Sequence, residues 1–88
     1  MRYDHSDRHR LIWARNLYTA RLNRHLTQAE LARALATDQC NISRWERAGS
    51  IPRDDMKIRL AEFFDVPVAT LFPWTDTTDT NGDEQIAS

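Results

Sequence analysis

The chain has 88 residues, enough for one small domain, and a formal net charge of −1. Its single cysteine, Cys40, excludes an internal disulfide and favours a reducing, cytoplasmic location. No apolar run reaches the roughly 18–20 residues of a membrane span, and the first residues lack the apolar centre of a signal peptide.

The charges are distributed unevenly along the chain. Residues 1–53 contain ten Lys or Arg and five Asp or Glu, whereas residues 54–88 contain two and eight. A basic face is therefore possible on a nearly neutral protein, and eleven of the twelve basic residues are arginine, which suits bidentate contacts. A solvated surface of mixed charge is the alternative interpretation.

Helical periodicity predicts a first helix over about residues 7–23. Leu11, Ala14 and Leu17 recur there at a spacing of three residues, and Ser6 is the predicted N-cap. These positions predict one amphipathic helix with its apolar face turned towards the core.

A capping box predicts a second, short helix, which begins after Thr27 and ends near residue 36. The hydroxyl of Thr27 is expected to accept a hydrogen bond from the amide of Glu30, whose carboxylate returns to the amide of Thr27. A third helix is predicted from Gln39 to Arg47, with Gly49 ending it in a left-handed conformation.

Two further helices follow. Pro52 and the acidic pair Asp54-Asp55 predict the start of a fourth helix, because negative charge suits a helix N-terminus. Residues 68–72 suffice for a fifth short helix. The sequence therefore predicts an all-α fold: a compact bundle of five short helices in residues 1–74, followed by a disordered acidic tail in residues 75–88.

The third helix carries the pattern most informative about function. Ile42 and Trp45 are the residues expected to anchor it to the core. The remaining side chains present amide, hydroxyl and guanidinium groups to solvent, which are the groups that read base edges in the major groove of DNA. These outward residues are Gln39, Cys40, Asn41, Ser43, Arg44 and Arg47.

In combination these motifs resemble the Cro/repressor-type helix-turn-helix proteins, also called the XRE family, over about residues 13–72. The matching segments are 26–32, 42–46, Pro52, 60–61 and 66–71. The resemblance implies a lambda-repressor-like DNA-binding domain that regulates transcription from a double-stranded operator. It also implies a homodimer, no cofactor, no metal and no catalytic activity.

The resemblance assigns roles to individual positions. Base contacts are implied for Gln39, Cys40, Asn41 and Arg44. Contacts with the DNA backbone are implied for Thr27, Gln28, Ser43, Arg47 and Arg53. An ion pair between Arg21 and Glu46 is implied to join the first helix to the end of the recognition helix. Asp38, which would repel phosphate, is expected to cap the third helix or to accept a hydrogen bond from a cytosine amino group.

Several positions depart from the family's pattern. Ala36 and His25 stand where glycine is usual, and a left-handed conformation costs a non-glycine residue roughly 1–2 kcal/mol. Thr37 replaces a usually apolar residue, and Lys57 and Asp65 also depart from the pattern.

Some features allow more than one interpretation. The thiol of Cys40 is a plain surface group, a contact for a thymine methyl group, or a redox switch. His5 and His9 indicate a solvated N-terminal arm rather than a metal site, because no further ligands accompany them.

The apolar residues near the C-terminus pack either onto the core or onto a second subunit. They are Phe63, Val68, Leu71, Phe72 and Trp74. If a partner covers them, the alternative function is a protein-interaction module, such as an antitoxin or anti-repressor, on the same scaffold. No phosphate-binding loop, nucleophile elbow or ligand cluster indicates an enzyme.

Overall fold

A computed structural model describes residues 5–73 of the chain, with side chains from residue 8 onwards. Within that range the fold is all-α, as predicted. The helices are α1 (His5–Asn23), α2 (Gln28–Ala34), α3 (Gln39–Glu46), α4 (Asp54–Phe64) and α5 (Val68–Leu71). Trp74 and the predicted tail lie outside the described residues.

The first four helices meet in one core. Leu17, Leu31, Ile42 and Leu60 each come from a different helix, and none is more than 1% exposed. Burying side chains of this size contributes roughly 1.5–3 kcal/mol each. The fifth helix adds Leu71 to the same core. Of the apolar residues that the sequence assigned either to the core or to a second subunit, Leu71 and Phe72 pack onto the core, whereas Val68 stays 38% exposed.

The start of α1 differs from the prediction. The helix begins at His5, so Ser6 lies inside it and is not the N-cap. Leu11 is 57% exposed, while Trp13, Ala14 and Leu17 are buried. At about 100° per residue, Leu11 points well away from the centre of the face formed by those three side chains, so its spacing alone misplaced it.

His9 is buried rather than part of a solvated arm. Only 1% of the residue is exposed, and its ring centroid lies 5.7 Å from that of Trp13. Lys57 also contacts Trp13, with its Nζ 4.2 Å from the ring centroid. Lys57, a departure from the family's pattern, thus makes a cation–π contact with a core residue.

Each of the first four helices ends in the same type of turn, in which the residue with positive φ is not glycine. After α2, for example, the amide of Thr37 donates to the carbonyl of Ala32 and the amide of Ala36 to that of Arg33. This is a Schellman motif, whose left-handed residue is usually glycine. The left-handed residues are His25, Ala36, Ala48 and Asp65, with φ between 56° and 62°.

His25 and Ala36, which stand where glycine is usual, thus take the left-handed conformation, whereas the prediction for Gly49 was wrong. Ala48 takes the left-handed conformation after α3. Gly49 instead donates its amide to the carbonyl of Arg44, 2.8 Å away. The left-handed residue is Ala48, one position before Gly49, because α3 ends at Glu46 rather than at Arg47.

Arginine side chains join helices by donating to the free carbonyls at helix ends. Arg59 of α4 donates to the carbonyl of Leu35, 2.6 Å away, and Arg24 donates to that of Phe64, 2.8 Å away. A cation at this end of a helix also interacts favourably with the helix dipole.

The C-terminal end of the described fold is held against α1. Nε1 of Trp13 donates to the carbonyl of Pro73 at 2.8 Å, and Nδ2 of Asn16 donates to that of Leu71 at 2.9 Å. These two bonds fix where the chain leaves the bundle. Among residues 5–73, no helix combines the length and the apolar character that a bilayer span requires.

Candidate nucleic-acid interface

The helix that crosses α3, α2, begins with the predicted capping box, which is confirmed. The amide of Glu30 donates to Oγ1 of Thr27 at 3.0 Å, and the amide of Thr27 donates to Oε1 of Glu30 at 2.8 Å. Further along α2, Ala32 is 3% exposed and turns towards the core with its leucine neighbours. Its small side chain suits the close approach of α3 that a tight turn imposes.

The outward face of α3 is open to solvent. Gln39, Cys40, Arg44 and Arg47 are exposed, and no described residue covers them. The spacing of Cys40, Arg44 and Arg47 by four and three residues places these side chains on one side of the helix. The candidate DNA-contacting residues of α3 thus share one accessible surface, which Asn41 and Ser43 border as half-buried neighbours.

Asp38 precedes α3 with extended backbone angles, but its side chain makes no capping hydrogen bond. The expectation that its carboxylate caps the helix was therefore wrong. The carboxylate remains exposed at the start of α3. It is thus free to accept a hydrogen bond from a ligand, and it adds negative charge beside the arginines.

A short hydrogen-bond chain orients the polar groups of α3. Nδ2 of Asn41 donates to Oγ1 of Thr37 at 2.9 Å, and Nη2 of Arg44 donates to Oδ1 of Asn41 at 3.2 Å. The hydroxyl of Thr37 therefore holds Asn41, which in turn holds Arg44. From the sequence, Thr37 stood out only as a departure from the family's pattern. It lies before the start of α3, so helical spacing gave no signal for its contact with Asn41.

A second network ties α3 to α1 and α2. Arg21 binds the carboxylate of Glu46 through two nitrogens, with Nε–Oε2 at 2.6 Å and Nη2–Oε1 at 3.0 Å. Nη1 of Arg21 also donates to the carbonyl of Leu26 at 2.6 Å. Arg21 and Glu46 expose only 9% and 3% of their side chains, so this bidentate pair is shielded from water.

The environment of Arg21 keeps it charged. Its hydrogen bond with Glu46 raises the pKa of Arg21, and the negative charge of the carboxylate raises it further, while burial acts in the opposite direction. The guanidinium is thus a cation throughout the neutral pH range.

Gln28 joins this second network. Its Nε2 donates to Oε1 of Glu46 at 3.1 Å, across the gap between α2 and α3. A primary amide carries two N–H donors, so one remains for a phosphate oxygen after the bond to Glu46 is made. The sequence indicated only a contact with DNA and missed the link that fixes the side chain.

Arg53 lies in the loop between α3 and α4. It is exposed and precedes α4 without a side-chain capping bond. Together with Asn41 it lines a cleft of about 390 Å³ between α3 and the loop that leads to α4. Asp55 lines the same cleft. Arg53 and the carboxylate of Asp55 thus line the same cleft beside α3.

The expected site residues thus fall into two groups around α3. Those on α3 share its open face, with Arg53 at one edge, and Thr27 and Gln28 stand at the start of α2 on the side of Glu46. Among the described residues, no group of three His, Cys, Asp or Glu side chains could hold a metal ion.

Comparison with known proteins gives one match. A family model described as helix-turn-helix matches residues 17–71, more than half of the chain. The matched range includes the two crossing helices, the turn between them, and both helices that follow. No curated protein sequence and no solved structure matches the chain.

Proposed function

Because the chain belongs to the helix-turn-helix family of DNA-binding regulators, we propose that it is a sequence-specific repressor of the Cro type that reads the major groove with α3. The observation that carries this proposal is the open face of α3, which no described residue covers. On this face Thr37 holds Asn41 and Asn41 holds Arg44, while Glu46 holds Gln28 at the start of α2. Pre-oriented donors lose less conformational entropy when they bind.

The chemistry of each side chain suggests its contact. The guanidinium of Arg44 suits O6 and N7 of guanine, and the amides of Asn41 and Gln39 suit adenine. The small, weakly polar side chain of Cys40 suits a thymine methyl group.

Contacts with phosphates position the protein without reading sequence. Thr27, Gln28, Ser43, Arg47 and Arg53 surround the face of α3 and supply hydroxyl, amide and guanidinium donors for that purpose. Binding of this kind requires no cofactor and no catalysis, and it takes place in the cytoplasm.

We also propose that the functional form is a homodimer. Two subunits that each place α3 in a major groove read half-sites about 34–36 Å apart, so the operator is a near-palindrome. The exposed Val68 on α5 offers apolar surface for pairing, although Leu71 beside it is buried.

Selection of bound duplexes from a random double-stranded pool tests this function. We expect enrichment of a near-palindrome whose half-sites are centred roughly 10–10.5 base pairs apart, or a multiple of that spacing. If repeated rounds enrich no sequence, although the protein is folded, the proposed function is wrong.

A protein-interaction module remains the second candidate. Leu11, Tyr18 and Leu22 lie along one side of α1 and are 57%, 47% and 44% exposed, so an apolar surface is present away from α3. A gel-shift assay at low and moderate salt separates the two candidates. A regulator retains preference for the selected duplex as salt rises, whereas a module that binds only protein shows no such preference.

A further inference from the structure

A groove on the molecule takes no part in the proposed DNA contacts. It has a volume of about 370 Å³ and lies between the second half of α1 and the C-terminal ends of α4 and α5. None of the residues that line it belongs to α2 or α3. Ala20, Phe64, Val66 and Leu71 form its apolar part.

The charge around this groove is positive. Among the described residues, Arg15 and Arg24 are the only charged side chains that line it, and no Asp or Glu does so. Within residues 8–23, α1 contains four arginines and no acidic residue. Arg24 donates one N–H to the carbonyl of Phe64, but Arg15 has no partner among the described residues. The groove therefore suits an anionic ligand that also carries an apolar group.

The chain itself supplies a segment with that chemistry. Residues 75–88 contain four acidic residues and no basic one, and Ile86 stands close after the pair Asp83-Glu84. The segment follows Pro73, whose carbonyl is bonded to Trp13 of α1. The chain therefore leaves the described fold beside the same helix that forms one wall of the groove.

The chain is long enough for the acidic segment to reach the groove. The eleven residues from Pro73 to Glu84 span up to about 36 Å when extended. The stretch of α1 from Trp13 to Asn23, which precedes Arg24, is only about 15 Å long. A connection of this length can give an effective concentration in the millimolar range, at which a weak attraction is enough to occupy the groove.

We propose that the acidic segment, residues 75–88, folds back into the groove between α1, α4 and α5. Its carboxylates lie against Arg15 and Arg24, and Ile86 covers the apolar part. The segment thereby neutralises a basic side of the molecule that is not the proposed DNA-reading face. This inference stands independently of DNA binding.

Amide NMR spectra of two full-length proteins test the proposal. One is the natural chain, and in the other the four acidic residues of the tail are neutralised by Asp76→Asn, Asp79→Asn, Asp83→Asn and Glu84→Gln. We expect the amide shifts of residues 16–24 and 64–71 to differ between the two proteins. In about 1 M NaCl, where the Debye length falls to about 3 Å, most of that difference should disappear.

Matched arginine substitutions locate the contact. Arg15→Gln should abolish the shift differences caused by the tail, whereas Arg33→Gln, which changes an equally exposed arginine on α2, should leave them unchanged. As a second readout, a spin label on Ser88→Cys in a Cys40→Ser background should broaden amide signals around the groove.

Four results would overturn the proposal. The first is the absence of any shift beyond the neighbours of the substituted tail residues. The second is a set of shifts confined to α3, which would place the acidic segment on the DNA-reading face. The third is a dependence of the shifts on protein concentration, which would indicate that a second copy supplies the segment. The fourth is equal loss of the shifts in the Arg15→Gln and Arg33→Gln variants.

Discussion

At the outward face of α3, Arg44 is exposed yet not free, because one of its N–H groups is donated to Asn41. Asn41 is in turn bonded to Thr37. A guanidinium that is partly oriented before DNA arrives needs less ordering to make a bidentate contact with guanine. The threonine that departs from the family's pattern therefore supports the residue expected to read a base.

Substitution of Arg44 tests its role as a base-reading residue. Arg44→Ala should weaken binding to the selected duplex by about 1–3 kcal/mol and relax the preference at one base pair in each half-site. Titration of duplexes with single base changes measures both effects. Arg33→Ala, which removes an exposed arginine on α2, should change neither. An equal loss on selected and random duplexes would show that Arg44 contacts only phosphate.

Arg47 should behave differently from Arg44, since we assign it to phosphate. Arg47→Ala should weaken binding to all duplexes alike and reduce the slope of log affinity against log salt by about 0.9. Fluorescence anisotropy over a series of salt concentrations measures this slope. A change in base preference with an unaltered slope would contradict the assignment.

The buried pair of Arg21 and Glu46 should matter for stability more than for recognition. Glu46→Gln leaves the cation of Arg21 buried without its counter-charge, which should lower the free energy of unfolding by about 3–5 kcal/mol. Urea denaturation measures the loss, and Glu62→Gln at an exposed position of α4 is the control, expected within about 0.5 kcal/mol of the natural chain. Similar stability of both variants would contradict this role.

The pH dependence of this pair follows from the sign of its shift. The pKa of Arg21 is raised in the folded protein. Its stabilising contribution is therefore fully present at any pH below the ordinary arginine pKa and is lost only as the pH rises through the raised value. Arg21 should accordingly cause no change in stability across the neutral range.

Among the helices, the recurring feature is the left-handed residue that ends each of the first four. Ala36 and Ala48 hold positive φ at 56° and 62° where glycine would do so without strain. The paired hydrogen bonds of each turn, such as those from Ala36 to Arg33 and from Thr37 to Ala32, hold this geometry. The repeated strain is a property of how the helices are connected, not of any one helix.

Relief of this strain should stabilise the protein. Ala36→Gly should raise the free energy of unfolding by about 1 kcal/mol, because the left-handed penalty is removed at a position already ordered by its neighbours. Ala34→Gly, in the last turn of α2, is the matched control and should lower stability by up to about 1 kcal/mol. Chemical denaturation of both variants measures these changes. Destabilisation by Ala36→Gly would contradict the presence of strain at Ala36.

The helices also show what the sequence could predict. The order of helices and the capping box of α2 were predicted correctly, because local spacing and caps determine them. The exposure of Leu11 and the burial of His9 were not predicted, since they depend on which face of α1 meets the other helices. The left-handed Ala48 was missed because a neighbouring glycine offered the simpler choice.

The candidate site was predictable in part for the same reason. Outward positions on α3 follow from its periodicity once Ile42 is placed inside. The bonds from Thr37 and Gln28, by contrast, depend on side-chain positions that spacing alone leaves open. The family resemblance, which the matched range confirms, supplied the expected roles but not these contacts.

For the molecule as a whole, the arrangement of charge matters more than its total. The helical bundle carries the excess of basic residues, and the acidic excess belongs to the last part of the chain. If the acidic segment covers α1, phosphates are attracted mainly to α3. Under the proposed function, such screening would disfavour attachment of DNA to the wrong side.

Neutralisation of the tail should therefore change non-specific binding. The variant that lacks the four tail carboxylates should bind random duplex more tightly at low salt and show a steeper salt dependence, because additional arginines meet phosphates. Its affinity advantage should disappear at high salt. Anisotropy titrations with random and selected duplexes measure this, and an unchanged affinity for random duplex would contradict screening by the tail.

The most direct test of the central claim is an NMR titration of the natural chain with the duplex enriched by selection. If α3 reads the major groove, amide shifts will concentrate in residues 39–47 and around Gln28, while the groove beside α1 will remain unperturbed. Shifts confined to α1 with α3 unchanged, or no shifts at all at saturating duplex, would contradict the assignment of α3 as the DNA-reading helix.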